Sequence, residues 1–159
     1  MANGKRASDL PREIRNKKAA HDFSIGDKFE AGIVLCGTEV KAIRQGHAQI
    51  SDAFVRFSRE GEAVLFNANI AEYNFGNVEN HQATQPRKLL LHKSQLKKLK
   101  SAIEMDGLAV LPLRMFFSHG LIKVEIAICR GKKLFDKREA LKKRTELRET
   151  ERALARFRR

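Results

Sequence analysis

Two apolar runs joined by a very short turn dominate the second half of the chain. Leu108 to Leu113 continues through Met115 to Phe117, Ser118-His119-Gly120 reverses direction, and Leu121 to Ile128 returns with Lys123 and Glu125 on alternate places. A period of two over eight residues marks a strand with one face in a core, and so short a turn makes the flanking strands pair antiparallel. Any fold for this chain must accommodate that hairpin.

The remaining pattern supplies partners for it. Phe29, Ala31, Ile33 and Leu35 alternate within a strand predicted from Phe23 to Leu35. Gly37 breaks that strand, Thr38 is the expected N-cap of a short helix carrying Val40 and Ile43, and Gly46 ends it. Ala53 to Phe57 and Ala63 to Phe66 flank Ser58-Arg59-Glu60-Gly61-Glu62, a second hairpin, and Asn67 to Gln85 reads as a long loop. Lys88 to Leu91 is a short strand; Ser94 then caps a helix with Leu96, Leu99 and Ile103 inward and Lys97, Lys98 and Lys100 outward, stopped by Gly107. Strands that pair mostly with sequence neighbours in so short a chain predict a mainly β fold with flanking helices: an antiparallel barrel of the oligonucleotide-binding type.

Charge says what such a barrel works on. The 159 residues hold 32 Lys and Arg against 19 Asp and Glu, a formal net charge of +13. Residues 1–18 carry six basic and two acidic side chains and residues 131–159 twelve and five, which leaves only +2 for the middle. A nearly neutral core between two basic segments is the layout of a module whose arms follow a polyanion, with RNA phosphate as the expected partner. Three regions are therefore expected: a mobile N-terminal arm over 1–15, an RNA-binding domain over 16–130 and a basic tail over 131–159.

Cys36 and Cys129 each lie in an apolar run without a second Cys or a His at metal-ligand spacing, which favours buried free thiols in a reducing compartment. No apolar stretch of signal-peptide length follows Met1 and no run is long enough to span a bilayer, so the cytoplasm is expected and no membrane contact. His21, His47, His81, His92 and His119 are scattered, and neither a Gly-rich phosphate loop nor a Gly-x-Ser-x-Gly elbow occurs. The pattern predicts a binding protein without cofactor or metal. A small ribonuclease that assembles a histidine pair through folding is the enzyme alternative.

Two features invite sharper readings. Glu30 stands between apolar Phe29 and Ala31 in a predicted strand. It is either a solvated strand-face residue or a carboxylate that accepts hydrogen bonds from base edges in unpaired RNA. In the tail, Leu134, Leu141, Leu147, Leu154 and Phe157 are too few and irregular to bury a helix face, yet Ala, Leu, Glu, Lys and Arg dominate Glu139 to Arg156 and no proline interrupts. Such a segment is expected to be disordered alone and to fold on RNA; a solvated tail that only raises non-specific affinity is the other reading.

Several segments resemble one family: Asn16-Lys17-Lys18-Ala19 with His21-Asp22-Phe23, Phe29 to Leu35, Gly37-Thr38-Glu39-Val40-Lys41 with Arg44, Gly46 and Ile50-Ser51-Asp52, Arg87 to His92, and Gly131-Lys132-Lys133 with Asp136-Lys137-Arg138. In this unbroken order they are similar to small protein B, the SsrA-binding protein of bacteria. Ala20 and Ser24 depart from the usual pattern, where a basic and a larger residue are common.

The resemblance implies an oligonucleotide-binding-like barrel, monomeric when free, that binds transfer-messenger RNA (tmRNA) and delivers it to stalled ribosomes for trans-translation. It further implies that Asn16, Lys17, His21, Glu30, Leu90 and His92 grip the tRNA-like part of that RNA. Gly131, Lys132 and Lys133 would form the hinge of a tail that becomes helical in the message channel of the small subunit, beside the decoding centre. Asp136, Lys137 and Arg138 follow as its motif, with Phe135 able to stack on a base, and the tail would substitute for codon–anticodon pairing. A general RNA-binding or ribosome-associated barrel is the alternative within the binding class.

Overall fold

The computed structural model describes residues 13–75 and 80–157, the side chains of 134–136 and 157 excepted. In chain order the elements are β1 (Ile14–Arg15), α1 (Lys17–Asp22), β2 (Phe23–Ile33), α2 (Gly37–Arg44), β3 (Ala48–Gln49), β4 (Phe54–Phe57) and β5 (Ala63–Phe66). There follow β6 (Asn69–Ile70), β7 (Arg87–Leu90), α3 (Lys93–Glu104), β8 (Ala109–Ser118), β9 (Leu121–Gly131) and α4 (Leu134–Phe157).

The long hairpin organises the sheet. His119 (φ 48°) and Gly120 (φ 78°) form its two-residue turn, both left-handed, so that Ser118 faces Leu121 and the twist of the turn matches that of the strands. The order is β1-β8-β9-β2-β7-β5-β4, every pairing antiparallel, with β3 and β6 forming a separate pair. The sheet curls until Phe54, Val55 and Arg56 of β4 share a groove with Ala109 and Val110 of β8, but no ladder joins these strands. The expected barrel is thus partly open, as oligonucleotide-binding folds commonly are.

Inside the curl lie Ile43, Ile50, Leu65, Ile70, Leu89, Leu99, Val110, Met115, Val124 and Ile126, all almost fully buried, with α2 and α3 closing the ends. Along β9 the alternation is regular through Ile126, after which Ala127 and Cys129 are buried as well. They face the other side of the sheet, where Ala19 of α1 and Leu111 cover them in a second small core. A bulge at Gly26 and Asp27 lets β2 follow β9 there; a Cβ on Gly26 would stand 3.0 Å from the Ile128 carbonyl oxygen.

Several local expectations are corrected. Cys36, not Thr38, stands at the N-cap position of α2, and the Thr38 hydroxyl is engaged by His81 instead; against the expectation of two buried thiols, Cys36 is exposed and Cys129 buried, and both are free. His92, not Ser94, precedes α3, with the Gln95 side chain accepting from the His92 N–H at 3.2 Å. Ile14 and Arg15, at the end of the expected arm, pair with Met115 and Arg114 as β1. In the tail, α4 runs for 24 residues and every side chain from Lys142 to Arg156 is exposed. No described helix is long and apolar enough to cross a membrane.

Candidate nucleic-acid interface

Strand register brings three of the predicted residues together. Gly32 of β2 stands opposite both Leu90 of β7 and Lys123 of β9, and Glu30 lies two residues back on the same face. Leu90, 53% exposed, points outward because Arg87 and Leu89 take the inward places of β7. A Cβ on Gly32 would press to 3.2 Å from that of Leu90, so the glycine leaves Leu90 room. With His92 and Gln95 at the start of α3, these residues line a groove of about 490 Å³.

Its electrostatics are set by paired carboxylates. Glu30 faces Glu125 directly across the ladder, an arrangement that repels unless cations intervene. Lys123 Nζ donates to Glu30 Oε1 at 2.6 Å, while Glu125 takes Arg114 at 3.0 Å and Lys28 at 3.8 Å. Arg114 also holds Glu13, which keeps that carboxyl below its usual range, the Arg15 hydrogen bond contributing most. Glu30 Oε2 has no hydrogen bond among the described residues, so one carboxylate oxygen beside an exposed Leu and an imidazole is available to an amino group of a base or to a ribose hydroxyl.

The other predicted residues gather elsewhere. His21 Nδ1 lies 2.7 Å from Asp22 Oδ1, and that contact above all, aided by Lys137 Nζ at 3.6 Å, holds the Asp22 carboxyl below its ordinary value. The Asp22 carbonyl accepts from Lys132 N at 3.0 Å, and Lys132 Nζ donates to the Ala20 carbonyl at 3.3 Å. Ala140, Leu141 and Arg144 of α4 rest against Ala20 and His21. Gly131 closes the ladder opposite Phe23. Lys17, Lys133 and Arg138 are exposed, whereas the side chains of Phe135 and Asp136 lie outside the described residues. Six residues of β2 lie between Phe23 and Glu30, a separation on the order of 20 Å. The single surface implied by the resemblance is therefore two patches, one at each end of β2.

Asn16 belongs to neither patch. It is buried, its Oδ1 accepts from Ala19 N at 3.0 Å as the N-cap of α1, and its Nδ2 donates to the Ile50 and Pro112 carbonyls at 3.2 and 2.9 Å. With those bonds made, its side chain fixes α1 to the barrel. His81 is likewise internal, bonded to Thr38 Oγ1 and the Ile70 carbonyl at 2.9 and 3.0 Å.

Sequence reasoning missed two elements. Lys123 was legible only as an outward strand residue, since its pairing with Glu30 depends on register across 93 positions. Glu39 and Arg87, both 1% exposed, form a buried ion pair at 2.7 Å. Glu39 also accepts from Cys36 N and Gln85 Nε2 at 2.7 and 2.8 Å, and Arg87 donates to the Ala68 and Ala83 carbonyls at 2.7 and 3.0 Å. Burial pushes the Glu39 carboxyl up, but the Cys36 N–H, Arg87 and Gln85 together outweigh it and leave the carboxyl below its usual range. This hub pins both ends of the 67–85 loop and the β7 strand from which Leu90 projects.

The model of the SmpB protein family matches residues 13–156. The SsrA-binding protein of Pelobacter propionicus is 52% identical over 139 residues, covering 87% of this chain and 91% of its own. That of Geotalea uraniireducens is 54% identical over 129 residues, covering 81% and 85%. The solved structure "tmRNA-SmpB: a journey to the center of the bacterial ribosome" contains a chain similar to this one at a TM-score of 0.66 and 41% identity, covering 81% of this chain and 94% of that one. With a partly open barrel, a polar groove, an exposed basic helix and relatives about half identical over most of their length, the chain belongs to the SmpB protein family.

Proposed function

We propose that this protein binds tmRNA and delivers it to ribosomes stalled on messages without a usable stop codon, so that trans-translation tags the incomplete peptide and releases the ribosome. Its work is binding, in the cytoplasm, and it makes and breaks no covalent bond. The observation that carries the reading is the division of labour along β2. At one end Glu30, Leu90, His92 and Lys123 form a groove suited to an unpaired loop of the tRNA-like part. At the other, α4 leaves the barrel with exposed basic side chains and no core of its own.

Lys17 and His21 sit where the RNA backbone and the root of the tail meet, and Gly131, Lys132 and Lys133 supply the hinge. A helix with few apolar contacts is only marginally stable in water, so the negative walls of the message channel would consolidate it, and Lys137 and Arg138 would lead it toward the decoding centre. There, with Phe135 stacking on a base and Asp136 beside it, the tail takes the place of codon–anticodon pairing.

The test is a reconstituted reaction holding ribosomes stalled on a truncated message and charged tmRNA. Addition of this protein is expected to produce tagged peptide. If tagging does not rise above the level without it, or if the protein prefers tmRNA no more than an unrelated RNA of equal length, the assignment falls and a general RNA-binding barrel takes its place.

A further inference from the structure

An aromatic pair, one ring half-buried and the other exposed, lies on elements that supply nothing to the groove. Phe75 is 80% exposed, and its ring meets that of Tyr73 edge to face at 5.6 Å. Lys41 of α2 places its ammonium 5.3 Å from the centre of the Tyr73 ring. Arg44 stands one helical turn further along α2 and is exposed, as is His47 just after it, whose carbonyl accepts from Ala71 N at 2.9 Å and so ties the end of α2 to this loop. Among the described residues from 71 to 75 the one carboxylate is Glu72, and it is exposed.

The backbone that carries the Tyr73 ring is held. The side chain of Asn80 grips the Tyr73 backbone from both sides, Oδ1 accepting from its N–H at 3.3 Å and Nδ2 donating to its carbonyl at 2.9 Å. Asn80 Oδ1 also accepts from His81 N, and His81 is anchored in the interior. An aromatic ring left in water forgoes the gain of burial, and one that stands two residues from a clamped backbone, edge to face with a ring that carries a lysine, matches the sites at which proteins stack unpaired nucleobases.

We infer that Tyr73 and Phe75, with Lys41 and Arg44, form a second RNA contact: a platform on which one unpaired base stacks on Phe75 while the cations take the adjoining phosphates. The inference rests on the RNA-binding function proposed above and adds a site to it. The base comes either from tmRNA or from ribosomal RNA, and the chemistry of recognition is the same.

The chain contains no tryptophan, so Phe75→Trp introduces a single emitter at an exposed position, with the wild-type protein as the blank. The variant, with its fold checked by circular dichroism, is titrated first with tmRNA and then with tmRNA and stalled ribosomes, RNA binding being followed separately by anisotropy of labelled tmRNA. Quenching of the emission, with loss of access to acrylamide, is expected. Quenching by tmRNA alone places the base in that RNA, and quenching only after ribosomes are added places it in ribosomal RNA. Phe75→Ala, read by anisotropy of labelled tmRNA, should then weaken the complex in which quenching was seen by roughly fivefold or more. Unchanged emission while anisotropy reports binding overturns the platform and leaves the function intact, as does a blue shift without quenching, which marks a ribosomal protein. Absence of tmRNA binding by the wild-type chain removes both.

Discussion

Replacing Arg87 by Met keeps the volume near the buried hub but removes the charge that faces Glu39. Three donors are lost: Nε to Glu39, and the two terminal nitrogens to the Ala68 and Ala83 carbonyls. Glu39 keeps Cys36 N and Gln85 Nε2 but remains inside the protein as an uncompensated carboxylate. Removing one partner of a buried pair costs about 3–5 kcal/mol. Against a total stability of about 5–15 kcal/mol, that is a large share. In urea unfolding followed by far-ultraviolet circular dichroism, the midpoint should drop by roughly 1.5–2.5 M at a slope of about 2 kcal/mol/M.

The dependence on pH has a definite sign. In the wild type the Glu39 carboxyl is depressed below its ordinary value near 4.5, so its contribution is present above that pH and is lost as pH falls further. Without Arg87, burial dominates and the folded carboxyl rises above 4.5. The variant is then destabilised progressively as pH rises from 4 to 7, and its deficit is largest at neutral pH. The double variant Glu39→Gln with Arg87→Met should recover part of the loss, because the stranded charge is gone. A cost under about 1 kcal/mol, or a deficit that does not change between pH 4 and 7, would refute the reasoning.

Other variants separate structural residues from binding ones. Asn16→Ala removes an N-cap and strands two buried carbonyls, so thermal unfolding should show a loss of about 2 kcal/mol or more, with tmRNA affinity unchanged at temperatures where the variant is folded. Glu30→Gln breaks an ion pair with exposed partners and should alter stability by less than about 1 kcal/mol, while weakening tmRNA binding roughly fivefold or more in a filter or anisotropy assay. Leu90→Ala, at a half-exposed position, should behave in the same way; a large fall in unfolding temperature with unaltered affinity would place Leu90 in the fold and not in the groove.

What the sequence made legible follows from periodicity. The two hairpins and the helices carrying Val40 and Ile43, and Leu96 and Leu99, stand within two or three residues of their expected bounds, because each has a repeating apolar face long enough to count. β1, β3 and β6 have two residues apiece, and no period exists in two residues. The start of α2 was misplaced because the hydroxyl chosen as its cap, that of Thr38, is bonded to His81. Ala127 and Cys129 break the alternation because α1 covers the outer face, which only the tertiary arrangement reveals.

The site was half legible. Glu30 was singled out by its place in the strand, Leu90 and His92 by the family resemblance, and one groove brings the three together. Asn16 was named with them, but its short amide serves carbonyls distant in sequence, and that geometry cannot be read from spacing. Glu39 and Arg87 stood in the quoted motifs without a role, since a charged residue in isolation reads as surface, and only pairing allows its burial.

The most direct test of the central claim compares the full chain with one ending at Lys133, which keeps β9 and the Lys132 bond to Asp22 but lacks α4. Both are assayed for tmRNA affinity and for peptide tagging on ribosomes stalled on a truncated message. The account predicts nearly equal affinity and a loss of tagging in the shortened form. Normal tagging by that form would contradict the role given to the tail, and parallel loss of affinity and tagging would contradict the division of the protein into a gripping groove and a decoding tail.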